Sequence, residues 1–211
     1  EFKVDKAIRS AKAYIAVAGL YEFSLNGEKV GDHILDPVYT RFDRRLMYVT
    51  HDITHQLKQG NNAIGVILGN GWYNHQSLAV WDFHNAPWRA RPAFCMDLRI
   101  VYADGSEAVV SSERDWKTFS GPIILNSIYT GEHYDARLEQ DGWNKPGFDD
   151  SKWRGVRYRS VSAAKITSQQ LVPIRLNQAF SPINVNKIND TAYVFDMGQN
   201  MSGVTRIRVK G

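Results

Sequence analysis

Two stretches of the sequence concentrate side chains able to do chemistry on a polyhydroxylated ligand. In Gly69-Asn70-Gly71-Trp72-Tyr73, two glycines around an Asn let the backbone turn sharply and present the ring that follows. Asn70 offers an amide donor and acceptor to sugar hydroxyls, and Trp72 offers an apolar face on which a pyranose can stack. In Gly131-Glu132-His133-Tyr134-Asp135-Ala136-Arg137, the carboxylates Glu132 and Asp135 can accept from hydroxyls and the Arg137 guanidinium donates in a fixed fork. Asn70, Trp72, Glu132, Asp135 and Arg137 are therefore the candidate sugar-binding residues, expected to lie close together at one end of the fold. Each stretch also has a purely structural reading. The Asn70 turn can serve to let Trp72 cap a sheet, and Arg137 can pair with Asp135 or with a loop carboxylate at a domain junction.

Catalysis by these groups is not expected. Inverting hydrolysis of a glycoside needs two carboxyl groups roughly 6.5–9.5 Å apart across a pocket. Glu132 and Asp135, three apart on one strand, point to opposite faces. The six histidines show no metal-ligand spacing: His51 and His55 are four apart, but Asp52-Ile53-Thr54 reads as the start of a helical turn rather than as a ligand-bearing helix. Phe148-Asp149-Asp150-Ser151-Lys152-Trp153 could supply oxygens to calcium, yet Asp149-Asp150 reads first as a turn-forming pair; no metal or cofactor is assigned. Trp81-Asp82-Phe83-His84 and Trp88 lie in a long irregular segment, where recognition residues often collect, or where the chain packs on a further domain.

The elements that must position these groups read as strands. Tyr14 to Ala18 and Tyr21 to Leu25 are short β-type runs separated by Gly19, and the second ends at Asn26-Gly27, a strong hairpin signal. Further candidates are Leu46 to Ile53, Ala63 to Leu68, Ala93 to Tyr102, Ala108 to Ser111 and Trp116 to Phe119, with a turn at Ala103-Asp104-Gly105-Ser106. Only Thr54 to Lys58 reads as a helical turn, with Thr54 as its cap and Gly60 as its stop. Many short strands, Gly-rich turns and almost no helix predict an all-β fold, an antiparallel jelly-roll sandwich over residues 1–159. Residues 160–211 are expected to hold a polar connector, Ser160 to Gln170, and part of a second β-sandwich domain. Its strands are placed at Leu171 to Ile174, Ile183 to Ile188, Ala192 to Asp196 and Val204 to Lys210.

Composition narrows the partners. The net charge of +4 over 211 residues is small and its basic residues are scattered, which argues against nucleic acid. No apolar run approaches the roughly 18 residues that span a bilayer, so no membrane partner is expected. The lone Cys95 cannot form an internal disulfide, and its apolar setting, Ala93-Phe94-Cys95-Met96, reads as a buried inert thiol. Aromatics make up 12% of the chain, which suits both sheet packing and stacking on sugars.

Several motifs in series carry a family resemblance. Tyr21 to Gly31, YEFSLNGEKVG, is similar to the hairpin of the galactose-binding-like jelly rolls that accompany many glycoside hydrolases. It is followed by LDPVYTRFDRR (35–45), YVTHDITHQLKQGNNAIGVILGNGWY (48–73), GPIILNSIYTGEHYDAR (121–137), GWNKPGFDDSKW (142–153) and YVFDMGQNMSGVTRIRVKG (193–211). In this order the series resembles the N-terminal sandwich of bacterial α-L-rhamnosidases, running into the concanavalin-like domain that follows it. The resemblance implies a parent enzyme that cleaves terminal α-L-rhamnose by inversion, in a helical barrel C-terminal to this chain. The chain itself would be a non-catalytic accessory region whose partners are rhamnose-containing glycans and the catalytic domain of the same polypeptide. A free-standing carbohydrate-binding module and a purely structural sandwich are the competing readings. A glycosidase of this kind is expected in the periplasm or outside a bacterial cell, with any leader absent from a chain that begins at Glu1.

Overall fold

The computed structural model describes residues 1–161 and 165–208. Its strands, in chain order, are β1 (Phe2–Val4), β2 (Ile8–Ala18), β3 (Leu20–Leu25), β4 (Glu28–Lys29), β5 (His33–Ile34), β6 (Leu46–Asp52), β7 (Gly60–Asn62), β8 (Ile64–Gly69), β9 (Ala93–Tyr102) and β10 (Glu107–Ser111). They continue as β11 (Lys117–Thr118), β12 (Ile123–Ser127), β13 (Gly131–Tyr134), β14 (Arg154–Gly155), β15 (Ile166–Ser168), β16 (Ile174–Arg175), β17 (Asn184–Asn189) and β18 (Ala192–Asp196). Two short 3-10 turns, Phe83–Asn85 and Ala136–Leu138, are the helical segments among the described residues.

The chain divides into two compact units, Glu1–Ile174 and Arg175–Gly211. In the first, a five-stranded sheet in the order β10-β9-β2-β6-β15 faces a three-stranded sheet in the order β4-β3-β8. The period of two puts Ala11, Ala13, Ile15 and Val17 of β2 inward with Met96, Leu98, Ile100 and Tyr102 of β9. These meet Tyr21, Phe23 and Leu25 of β3 to form the main core. This is the all-β sandwich that the strand pattern implies. The β3–β4 turn is the Asn26-Gly27 hairpin, with φ of 55° and 88° at its two central residues, the geometry that follows strand twist. Asn26 also ties the turn to its surroundings, because its side chain donates to Asn62 Oδ1 and accepts from the Ala63 N–H.

Three local expectations change. The division falls after Ile174 rather than near Arg159, because the polar segment 160–170 contributes β15, which pairs with β6 in the main sheet. That pair, Ile166 opposite Leu46 and Ser168 opposite Tyr48, is parallel, unlike the antiparallel pairs around it. Thr54 does not cap the turn that follows it; Asp52 accepts from the Thr54 N–H, while Thr54 Oγ1 accepts from the Ala11 N–H and so joins the turn to β2. Cys95 is exposed rather than buried, because alternation along β9 sends Met96 and Leu98 into the core and Cys95 out. Its thiol is nonetheless pushed up by partial desolvation and by the Asp97 carboxylate.

The second unit holds the antiparallel hairpin of β17 and β18, Asn184 opposite Asp196. Residues 204–208 have no regular structure, so the strand expected there does not form among the described residues, and residues 209–211 lie outside them.

Candidate functional site

The Asn70 turn follows β8 directly and is held by β12. The Asn70 N–H donates to Asn126 Oδ1 at 2.7 Å, and Asn70 Nδ2 donates to the Asn126 carbonyl at 2.9 Å. Asn70 Oδ1 accepts in turn from Asn74 Nδ2 at 2.7 Å. The amide that could address a sugar is thus engaged at both ends. Asn126 stands opposite Glu132 in the β12–β13 pair, so the structure brings the Asn70 turn and Glu132 together. Strand signals alone do not reveal this hairpin, because β13 is exposed at every position and carries no alternation.

Trp72 is half-buried among other rings. It stacks on His75 with centroids 5.2 Å apart and packs against Phe83 at 5.0 Å. Tyr129, in the turn between β12 and β13, meets it edge-on at 5.5 Å. Behind it lies a second core of Ala18, Phe42, Leu46, Tyr73 and Trp88. Phe83 and Trp88 of the irregular segment therefore pack inward, whereas Leu78, Val80 and Trp81 stand out with 80%, 89% and 70% exposure. Three polar atoms of this neighbourhood, His75 Nδ1, Trp88 Nε1 and Ser127 Oγ, are buried without a hydrogen-bond partner.

Asp135 and Arg137 are bonded mainly to each other. Asp135 caps the short 3-10 turn by accepting from the Arg137 N–H at 3.1 Å, and the Arg137 guanidinium closes on both carboxylate oxygens at 2.8 and 2.6 Å. The hydrogen bond from the Arg137 side chain holds the Asp135 carboxyl below its usual range, the opposite of what a general acid requires. Asp135 lies three residues along the chain from Glu132, on the order of 10 Å at strand rise, and pairs by its backbone with Pro122 rather than with Asn126. The structure therefore ties the Asn70 turn through Asn126 to the strand pair that carries Glu132, packs Trp72 on Tyr129 in the turn of that pair, and sets the Asp135–Arg137 pair farther along the chain.

The Asp149-Asp150 loop is occupied by protein contacts. Asp149 accepts from the Ser151 N–H at 3.0 Å, and Asp150 pairs with Lys117 at 2.6 Å. The loop is pinned by Trp153, which stacks near Phe119 and Trp143 and donates through Nε1 to Gln140.

A polar cluster that the chain spacing does not reveal sits between the sheets. His33 Nδ1 lies 2.7 Å from Asp36 Oδ2, and the His33 and His51 rings are 5.5 Å apart. Asp36 and His51 are buried, and the Tyr21 hydroxyl is 2.9 Å from His51 Nε2. Burial, with His33 beside it, pushes His51 down to about 4, so its imidazole is neutral at pH 7. Burial first, and Asp36 second, push the Tyr21 phenol well up. The signal available in sequence is polar residues at inward positions, His51 among them in the alternation of β6.

Comparison with known proteins gives a consistent picture. Residues 6–178 match the family described as the α-L-rhamnosidase N-terminal domain, and residues 186–211 match the bacterial α-L-rhamnosidase concanavalin-like domain. The chain is 38% identical over 220 residues to an α-L-rhamnosidase of Formosa agariphila, covering 99% of this chain and 22% of that protein. The crystal structure of Streptomyces avermitilis α-L-rhamnosidase complexed with L-rhamnose superposes with a TM-score of 0.88 at 35% identity, over 95% of this chain and 19% of that one. The α-L-rhamnosidase structure from Dictyoglumus thermophilum gives a TM-score of 0.85 at 40% identity, over 94% of this chain and 21% of that one. The chain thus spans about a fifth of the length of these relatives.

Proposed function

The chain belongs to the α-L-rhamnosidase family, as the N-terminal domain and the beginning of the concanavalin-like domain, and on that premise we propose that it is the non-catalytic accessory region of a polypeptide that hydrolyses terminal α-L-rhamnose by inversion. The observation that carries this reading is the match of two consecutive family domains in a chain spanning about a fifth of its relatives. The state of its carboxylates supports it: Asp135 is tied to Arg137, and Glu132 lies on an exposed strand. The protruding Leu78, Val80 and Trp81 form an apolar surface of the kind that marks docking sites, and the reading assigns it to the catalytic domain of the same polypeptide. Rhamnose-containing glycans are the substrates of the parent. Its place is the periplasm or the cell exterior; among the described residues no helix is long and apolar enough to cross a membrane.

The test is an assay on an aryl α-L-rhamnoside. The chain alone gives no turnover, while the full-length polypeptide releases rhamnose whose first-formed anomer, followed by proton NMR, is inverted. Turnover by the chain, abolished by Glu132→Gln or Asp135→Asn, would overturn the accessory reading.

A second reading, weak sugar contact by the sandwich itself, draws on two observations. Asn126 joins the Asn70 turn to Glu132, and the unpartnered His75 Nδ1 and Ser127 Oγ are polar atoms that a sugar hydroxyl or a water would satisfy. On this reading Trp72 and Glu132 are the contact residues, Asn70 fixes the turn, and the Asp135–Arg137 pair borders the site.

A further inference from the structure

The cluster around Asp36 has the composition and the support of a metal site. One nitrogen from each of His33 and His51 and one carboxylate oxygen of Asp36 all lie within 4.8 Å of one another. Two imidazoles and a carboxylate are a donor set that zinc and its neighbours take, with ligand bonds of about 2.0–2.2 Å. Two segments bring them together: β5 and the turn directly after it supply His33 and Asp36, and β6 supplies His51. Metal ligands are usually oriented by a second layer of hydrogen bonds. Here the Tyr21 hydroxyl engages His51 Nε2, which turns Nδ1 to the other side of the ring. Gln169 Nε2 donates to Asp36 Oδ1 at 3.2 Å, leaving Oδ2 facing His33 Nδ1. Gly31 keeps room at the remaining nitrogen, since a Cβ there would stand 3.1 Å from His51 Nδ1. A small cavity lined by Tyr21, His33, Asp36 and His51 adjoins the cluster.

We propose that His33, Asp36 and His51 bind one divalent transition ion of the zinc class through His33 Nδ1, Asp36 Oδ2 and His51 Nδ1. The ion takes the place of the proton between His33 and Asp36; His33 then carries its proton on Nε2, the nitrogen 3.9 Å from Asp32. Water completes the coordination, and the site acts as a staple joining the β5 turn to β6 and, through Gln169, to the segment after β15.

The test uses cobalt(II) and zinc(II) on the chain after chelation. One equivalent of cobalt is expected to give the visible bands of a low-symmetry nitrogen–oxygen site, zinc to displace it, and saturating zinc to raise the melting temperature by linkage. His51→Gln and Asp36→Asn are expected to abolish the bands. Gln169→Ala, which keeps every ligand and serves if those variants do not fold, is expected to weaken affinity by about tenfold or more. No stoichiometric cobalt or zinc binding would overturn the proposal. So would binding that persists in His51→Gln or is unaltered in Gln169→Ala, which would place the ion on other histidines.

Discussion

Asn126 holds Asn70 in both directions, accepting its backbone N–H at 2.7 Å through the side chain and its side-chain amide at 2.9 Å through the backbone. A turn that could open toward a ligand is thereby fixed to the β12–β13 hairpin. Removing either side chain leaves partly buried polar groups unpaired, at a cost of about 1–3 kcal/mol. Asn70→Ala and Asn126→Ala are each expected to lower stability by that amount. The double variant should lose less than the sum, with a coupling of about 0.5–3 kcal/mol. Additive losses in urea unfolding would show that the two residues act independently.

Gly65 lies where the loop carrying Trp143 and Asn144 crosses β8. A Cβ there would come within 2.7 Å of both side chains, while Asn144 donates to Ser24 Oγ at 3.0 Å. Gly65→Ala must displace Trp143 and with it the stacking on Trp153. The expected loss is about 1–3 kcal/mol, the usual cost of overpacking, accompanied by a change in tryptophan emission. A variant with native stability and emission would mean that the loop yields freely.

Asp104 closes the β9–β10 turn. Its carboxyl is held far below its usual range by hydrogen bonds, first from Lys6 and then from Ser106. A depressed native value means that the group favours the fold above its unfolded value, and that this contribution is lost as pH falls through the native one. Because the group is fully exposed, the effect is read from its titration rather than from global stability. The native carboxyl is expected to titrate well below an ordinary aspartate by carbon-detected NMR, and Lys6→Ala to move it upward. An unchanged midpoint in the variant would remove Lys6 as the cause.

The parts of the fold legible in the sequence are those set by local chemistry. Asn26-Gly27 specifies its turn because both positions need positive φ, and the alternation in β2 and β9 specifies which faces are buried. Cys95 reads wrongly as buried because a short apolar run hides alternation: Phe94 and Met96 flank a residue that points outward. The β15 strand is hidden because an edge strand with one neighbour needs little apolar pattern, and Ile166 and Ser168 are indeed exposed. For the site, residue type points to the Asn70 turn and Glu132, but not to Asn126, whose role is a tertiary hydrogen bond. His33 and Asp36 are neighbours three positions apart, but His51 is distant in sequence, and only the packing of its ring beside His33 completes the cluster.

The distinction between structure and recognition at Trp72 is open to a direct experiment. Its ring is packed against His75, Phe83 and Tyr129, so Trp72→Ala removes apolar contact and leaves a cavity. Large aromatic truncations cost about 3–5 kcal/mol when fully buried, and for this half-buried ring the loss should fall below that range. Glu132, by contrast, is exposed on β13, and Glu132→Ala should leave stability within about 0.5 kcal/mol of the parent. A monosaccharide offers few atoms, so an open site should bind L-rhamnose with a dissociation constant on the order of millimolar. Titration of the chain followed by NMR is expected to give saturable shifts at Tyr129, Glu132 and the Trp72 indole. Glu132→Ala should remove them while the fold persists, which separates lost contact from lost structure. If no signal saturates, or if Glu132→Ala leaves the shifts intact, the sandwich does not bind sugar here, and the Asn70 turn, Trp72 and Asn126 serve only to hold the end of the sandwich together.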